Sequence, residues 1–302
     1  MLVLALLCMC SPLSWAVDVY FAIPHDFSPN ANQAANSLKS QTEKKLLKGI
    51  ESISSKAAAS MSGDSNLLIA IGPEALSEVL SGSGNSPVIA VLVSKRSFES
   101  IITEAKPTKR SISAIYSDPD PAKQVALAKA IFGLQAKGVL VQSPASEHYL
   151  QDFIAAADAY HVNLKIVDLN KINSTENFIE LTRSNRILFL IKDPHLFDAV
   201  PLEKVLLSSY DINRQGTIGY SRGIVKNGGA ATTYSSLADI AESIYQQSRN
   251  VDSNKSLAAP DFTQSFQVSL NKYVLRSLDI IGLDEDAAHQ KVRALMKERA
   301  RP

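Results

Sequence analysis

Cysteine is almost missing from this chain of 302 residues: the only two, Cys8 and Cys10, fall between Met1 and Ala16. Everything after that stretch is therefore without a disulfide framework, a thiol nucleophile or a cysteine metal ligand. Tryptophan occurs once, as Trp15 in the same stretch, so stacked indoles of the kind a sugar site usually needs are lacking. Neither sign of charge prevails: 31 basic and 30 acidic residues leave a net charge of +1. With no arginine cluster either, nucleic acid and anionic membrane are excluded as main partners. After Ala16 no apolar run approaches the ~20 residues of a membrane helix. His25, His148, His161, His195 and His289 are scattered, with no H-E-x-x-H or paired spacing for zinc. Of these, His195 lies nearest an expected ligand site. There is no G-x-S-x-G elbow, no Walker loop and no G-x-G-x-x-G after a strand. With no nucleophile, base and orienter in one constellation, the chain is expected to be no enzyme and to use neither cofactor nor metal.

What is present has ordinary globular proportions, 45% hydrophobic and 20% charged, and enough length for two domains with a core each. Met1–Ala16 reads MLVLALLCMCSPLSWA: an apolar core, a Pro-Leu break and small residues at Ser14 and Ala16, the pattern of a secretory signal cut after Ala16. It lacks the usual basic start, and retention as an anchor is the alternative. Leu7 before Cys8 and Met9 before Cys10 do not suit a lipoprotein signal. The expected location is the periplasm.

Downstream, strand and helix patterns alternate, the signature of parallel sheets. Val19–Ile23 is the first strand candidate, followed by His25-Asp26-Phe27-Ser28. Residues 31–61 read as helix throughout, with no strand. Asn66–Ile71 and Pro87–Val93 are buried-strand runs, the second ending at Ser94. Ser113–Tyr116 leads through Ser117-Asp118-Pro119-Asp120-Pro121, a turn preset by its prolines, into a helix. Gly138–Gln142 ends at Ser143, and Asn163–Leu169 comes next. Ile187–Ile191 then runs into Lys192-Asp193-Pro194, Thr217–Tyr220 into Ser221, and Ala230–Tyr234 contains Thr232 and Thr233. Small or polar residues just past a strand's carboxyl end matter, because in open α/β sheets that edge holds ligands.

The run from Leu190 to Asp193-Pro194, then Phe197, Leu206-Leu207-Ser208-Ser209-Tyr210, Gly219-Tyr220-Ser221 and Gly229-Ala230-Ala231-Thr232-Thr233-Tyr234-Ser235 resembles the ABC-transporter substrate-binding proteins of the tryptophan/tyrosine-binding-like family. In that family a D-P turn, a helix ending L-L-x-S-Y, a G-x-S strand end and a G-A-L-A-x-x-Y-S segment occur in this order. Phe266-Gln267-Val268-Ser269-Leu270-Asn271 and Leu278 are similar to its closing strand and helix. The resemblance implies an α/β fold of two Rossmann-like lobes with parallel sheets, joined by a three-crossing hinge as in type I periplasmic binding proteins.

Polar segments at Ala105–Ser111, Arg222–Gly229 and Arg249–Pro260 are the expected crossings. They give lobe 1 as residues 17–109 with 227–252, and lobe 2 as 110–226 with 253–302. The charged tail from Asp284 reads as a helix. Expected ligand contacts are Asp26, Ser94, Tyr116, Ser117, Ser143, Lys192, Asp193, Tyr220, Ser221 and Thr232. Hydroxyls with one acid (Asp193), one cation (Lys192) and aromatic rings (Tyr116, Tyr220) suit a zwitterion or polar ring, so an amino acid or similar amine-bearing molecule is the expected solute. The implied role is capture in a cleft between the lobes for an ABC permease, by a monomer. The alternative is a ligand-sensing partner of a membrane receptor or outer-membrane uptake system.

Overall fold

Residues 17–133, 136–254 and 256–299 are described in the computed structural model; the expected leader, with both cysteines, lies outside them. Five strands open the chain: β1 (Asp18–Ile23), β2 (Glu51–Ser54), β3 (Asn66–Ile71), β4 (Val88–Val93) and β5 (Ile112–Tyr116). Five more come after them: β6 (Lys137–Gln142), β7 (Asn163–Asp168), β8 (Ile187–Phe189), β9 (Gly216–Ile218) and β10 (Ala231–Tyr234). The last two are β11 (Asp261–Phe262) and β12 (Gln267–Leu270). They form two six-stranded sheets, β11-β5-β4-β3-β1-β2 and β12-β10-β9-β8-β6-β7. The chain divides into two units, the first running to Tyr116 and including Ile240–Asp261, the second comprising Ser117–Asp239 and Phe262 onwards. It passes from one unit to the other three times.

In the first unit β1 to β5 pair in parallel, and the runs NLLIAI and VIAVLV are almost wholly buried. A parallel strand covered by helices on both faces has no polar side to show, hence the unbroken apolar sequence. Pro29–Leu46 forms the first helix, with Ser28 accepting from the Ala31 N–H at 3.3 Å as its cap. Contrary to the expectation for residues 31–61, a strand does intervene. β2 pairs with β1 from Tyr20↔Glu51 to Ile23↔Ser54, but as an edge strand it is mostly exposed and carries no apolar signal.

The first and second crossings also lie later than expected. β5 belongs to the first sheet, and the polar segment before it is bound into the same unit by Arg110. That guanidinium is buried, donating to the carbonyls of Ser86 at 2.8 Å, Ala59 at 2.7 Å and Ala58 at 3.2 Å. Arg222–Gly229 is no crossing either: a short helix, Arg222–Lys226, and a turn with Gly228 at φ 117° return the chain to β10 beside β9 in the second sheet. The passage comes within the helix Leu237–Asn254, at Ile240. Thr232 therefore sits in the second unit.

In the second sheet β6 to β10 are parallel and β12 runs antiparallel to β10. Alternation along β8 sends Ile187 and Phe189 into one core layer and Leu188 with Leu190 into the other, the two-residue period of a strand. The tail helix Glu285–Arg299 packs Ala288 and Val292 into the first of these layers. Among the described residues no helix is long and apolar enough to cross a membrane.

Candidate ligand-binding site

Beyond the carboxyl ends of β8 and β9 the second unit holds a pocket of about 260 Å³. Strand direction sets its position. β8 and β9 stop after three residues each, leaving Leu190, Ile191 and Lys192 on one side and Tyr220 and Ser221 on the other. Ser117, Asp118 and Pro119 contribute from the turn after the first crossing, Gln124 from the helix Pro121–Phe132, and Tyr149 and Phe153 from the segment after β6. Apolar walls thus meet a few polar groups, the usual make-up of a small-molecule site.

Several of the polar groups are oriented by their neighbours. The Tyr149 hydroxyl donates to Asp118 Oδ2 at 2.6 Å, which fixes a carboxylate at the pocket wall. Gln124 is buried and fully engaged: its Nε2 donates to the Gly219 carbonyl at 2.7 Å and to Thr232 Oγ1 at 3.3 Å, and its Oε1 accepts from the Thr233 N–H at 3.1 Å. Thr232 Oγ1 adds its own bond to the Gly219 carbonyl at 2.6 Å. The strand end that presents Tyr220 and Ser221 is thereby clamped. Tyr220 is half-buried, which pushes its phenol pKa above the ordinary value, and its ring lies 6.4 Å from Phe197. Ser221 also caps the helix Arg222–Lys226. Lys192 is exposed at the rim.

Of the residues expected from sequence, Ser117, Lys192, Tyr220 and Ser221 come together in this pocket. Thr232 is buried behind it. Asp193, 1% exposed, faces inward: Oδ2 accepts from Ser143 N at 3.1 Å, Ser143 Oγ at 2.6 Å and Ser146 Oγ at 2.6 Å, and Oδ1 accepts from His195 N at 3.1 Å. Burial alone would raise its pKa, but the bonds from Ser143, Ser146 and the His195 backbone outweigh it and hold the carboxyl below the usual aspartate range. Ser143 is likewise spent, on Asp193 and as the cap of the helical turn Pro144–Tyr149.

The other three belong to the first unit. Asp26 is exposed and paired with His25 at 2.9 Å. Ser94 caps the helix Lys95–Glu104, accepting from Ser97 N at 3.0 Å. Tyr116 is buried with its ring edge-on to Phe98 at 5.8 Å.

Sequence reasoning misses Gln124, Tyr149, Phe153, Leu190 and Ile191 as lining residues and sees Asp118 only as part of a turn. One signal was available: Tyr149 and Phe153 are four apart, on one helical face. Among the described residues no group of three His, Asp or Glu side chains is placed to hold a metal.

No family model and no curated protein matches this chain. Solved structures do. CD0873 of Clostridium difficile, a substrate-binding protein with adhesive properties in its ligand-free, open form, is 14% identical with a TM-score of 0.61, over 90% of this chain and 97% of that one. The ABC domain from Streptococcus pneumoniae in complex with L-Trp is 15% identical with a TM-score of 0.51, over 90% and 96%. XylFII in its complex with LytSN is 14% identical with a TM-score of 0.51, over 85% and 99%. At such identities the likeness is one of fold: this chain has the two-sheet α/β fold of substrate-binding proteins.

Proposed function

We propose that this chain is a solute-binding protein, of the kind that serves ABC-type transporters outside the cytoplasm, and that the pocket of the second unit holds the solute. The pocket itself carries this reading. It combines aromatic and aliphatic walls, a carboxylate pinned by Tyr149 and an ammonium at Lys192, and a small zwitterion matches that pairing: ammonium against Asp118, carboxylate against Lys192, side chain against Tyr149, Phe153 and Tyr220. An amino acid is the solute class that suits it, and the L-Trp complex of a protein with this fold supports the choice. The roles proposed for Ser117, Lys192, Tyr220 and Ser221 are direct contacts.

A thermal-shift screen of the amino acids and related amines tests this. A solute present at 100 times its dissociation constant adds about 2.7 kcal/mol of apparent stability. Calorimetry on Tyr220→Ala and Lys192→Ala then places it. Stabilisation by none of the compounds, or affinity untouched by both substitutions, overturns the reading. The sensing alternative draws on the XylFII–LytSN complex, in which a protein of this fold is held by a partner; co-purification of a receptor domain instead of a permease would favour it.

A further inference from the structure

We infer that Asp193 is a positioning residue of this pocket and does not itself touch the solute: its buried carboxylate fixes the spacing between the pocket's two walls. The inference rests on the reading of the pocket as the solute site, and its test is made without solute so that the two can fail separately.

β6 and β8 are neighbours, in register from Gly138↔Ile187 to Leu140↔Phe189. The segment beyond each strand forms one wall. After β6 come Ser143 and the helical turn Pro144–Tyr149 running into the helix Leu150–Ala159, which carry Tyr149 and Phe153; after β8 come Leu190, Ile191 and Lys192. Past the last paired residues, nothing in the ladder sets how far these two segments diverge. Asp193 closes that gap. Its backbone N–H bonds the Ile191 carbonyl at 2.9 Å, securing it to its own wall, while Oδ2 takes three bonds from Ser143 and Ser146 across the gap.

The chemistry suits this task and little else. Oδ2 accepts from the backbone N–H and hydroxyl of Ser143 and from the hydroxyl of Ser146, and the first and last of these donors also belong to the reciprocal cap of the helical turn. Oδ1 accepts a fourth bond, from the His195 N–H, so both oxygens must be acceptors; a carboxylate is acceptor-only, whereas a neutral amide of the same size would set its NH2 against one of these donors. At 1% exposed the group has no face left for a solute. Its consequence reaches Asp118, whose bond from Tyr149 depends on where the turn ends.

The test uses full chain labelled with 3-fluorotyrosine, with the Tyr149 and Tyr220 resonances assigned from Tyr149→Phe and Tyr220→Phe. Asp193→Asn should move the Tyr149 resonance and leave that of Tyr273, exposed on another face of the unit, in place. Ser143→Ala should move it in the same direction, and Ser143→Thr, which keeps the hydroxyl, should restore it. Thr182→Val, which removes a buried hydroxyl elsewhere in the unit, should lower the melting temperature without moving Tyr149. A Tyr149 resonance unchanged in folded Asp193→Asn overturns the inference; if that variant does not fold, an unchanged resonance in Ser143→Ala does so.

Discussion

Lys123 Nζ lies 2.6 Å from the carbonyl oxygen of Thr263, a residue 140 positions further along the chain. The same ammonium pairs with Asp120 at 2.9 Å and sits 5.7 Å from the centre of the Phe266 ring. Thr263 in turn shares a hydroxyl contact of 2.5 Å with Ser235. Asp120, Ser235 and Thr263 lie on the three segments by which the chain enters or leaves the second unit, so one buried lysine gathers all three. Lys123→Met leaves a part-buried carboxylate and a buried carbonyl without their cation and should cost about 3 kcal/mol, near the low end for breaking a buried pair. Chemical denaturation of the variant and of Asp120→Asn, with the double variant to obtain their coupling, checks it; strictly additive losses would mean the pair does not act as a unit.

Acid should weaken the second unit through Asp193. Its folded pKa lies below the ordinary value, so the charged form contributes stability in full above the unfolded pKa of about 3.9. That contribution fades as pH falls from there through the lower folded pKa. Thermal unfolding measured from pH 6 down to pH 2 should show a drop in wild type that is flatter in Asp193→Asn, with the variant about 2 to 4 kcal/mol less stable at pH 6. Parallel curves would assign the acid sensitivity elsewhere.

Tyr220 and Ser221 should separate binding from folding. Ser221→Ala removes a cap from a five-residue helix and costs about 0.5 to 1 kcal/mol; Tyr220→Ala removes a half-buried ring and costs more. Both should weaken capture of whichever amino acid the screen identifies by about tenfold or more, the equivalent of 1.4 kcal/mol. Isothermal calorimetry at matched temperature distinguishes this from a loss of folded protein.

Gly216 opens β9 with the Phe132 ring against it: a Cβ there would come within 2.2 Å of the ring. Gly216→Ala must displace Phe132, at a cost of about 1 to 3 kcal/mol, and Phe132→Leu in the same chain should recover part of it. Equal stability of Gly216→Ala and wild type in urea would refute the packing argument.

Much of this is legible from residues alone, and the exceptions have physical causes. Lys192, Tyr220, Ser221 and Ser117 can be placed because strand-helix alternation fixes which residues stand at a strand's carboxyl end. Gln124 and Phe153 cannot, since the azimuth at which a helix meets a pocket is set by packing. Asp193 reads as a ligand contact because the partners of its Oδ2 are 50 and 47 residues away, and its local bond from the His195 N–H leaves that oxygen's fate open. β2 escapes notice because an exposed edge strand needs no apolar pattern. The segment before β5 looks like a crossing because a polar loop and a linker share one composition; Arg110, whose partners come from distant turns, is what makes it a loop.

The helix Leu237–Asn254 buries Ile240, Ala241, Ile244 and Val251, and Lys45 reaches Glu242 on it at 2.5 Å. These residues belong to the unit whose strands β1 to β5 are made first. During synthesis, then, strands β1 to β5 are made well before the helix residues from Ile240 that complete their unit. The first unit therefore has all of its parts only once Asp261 has left the ribosome.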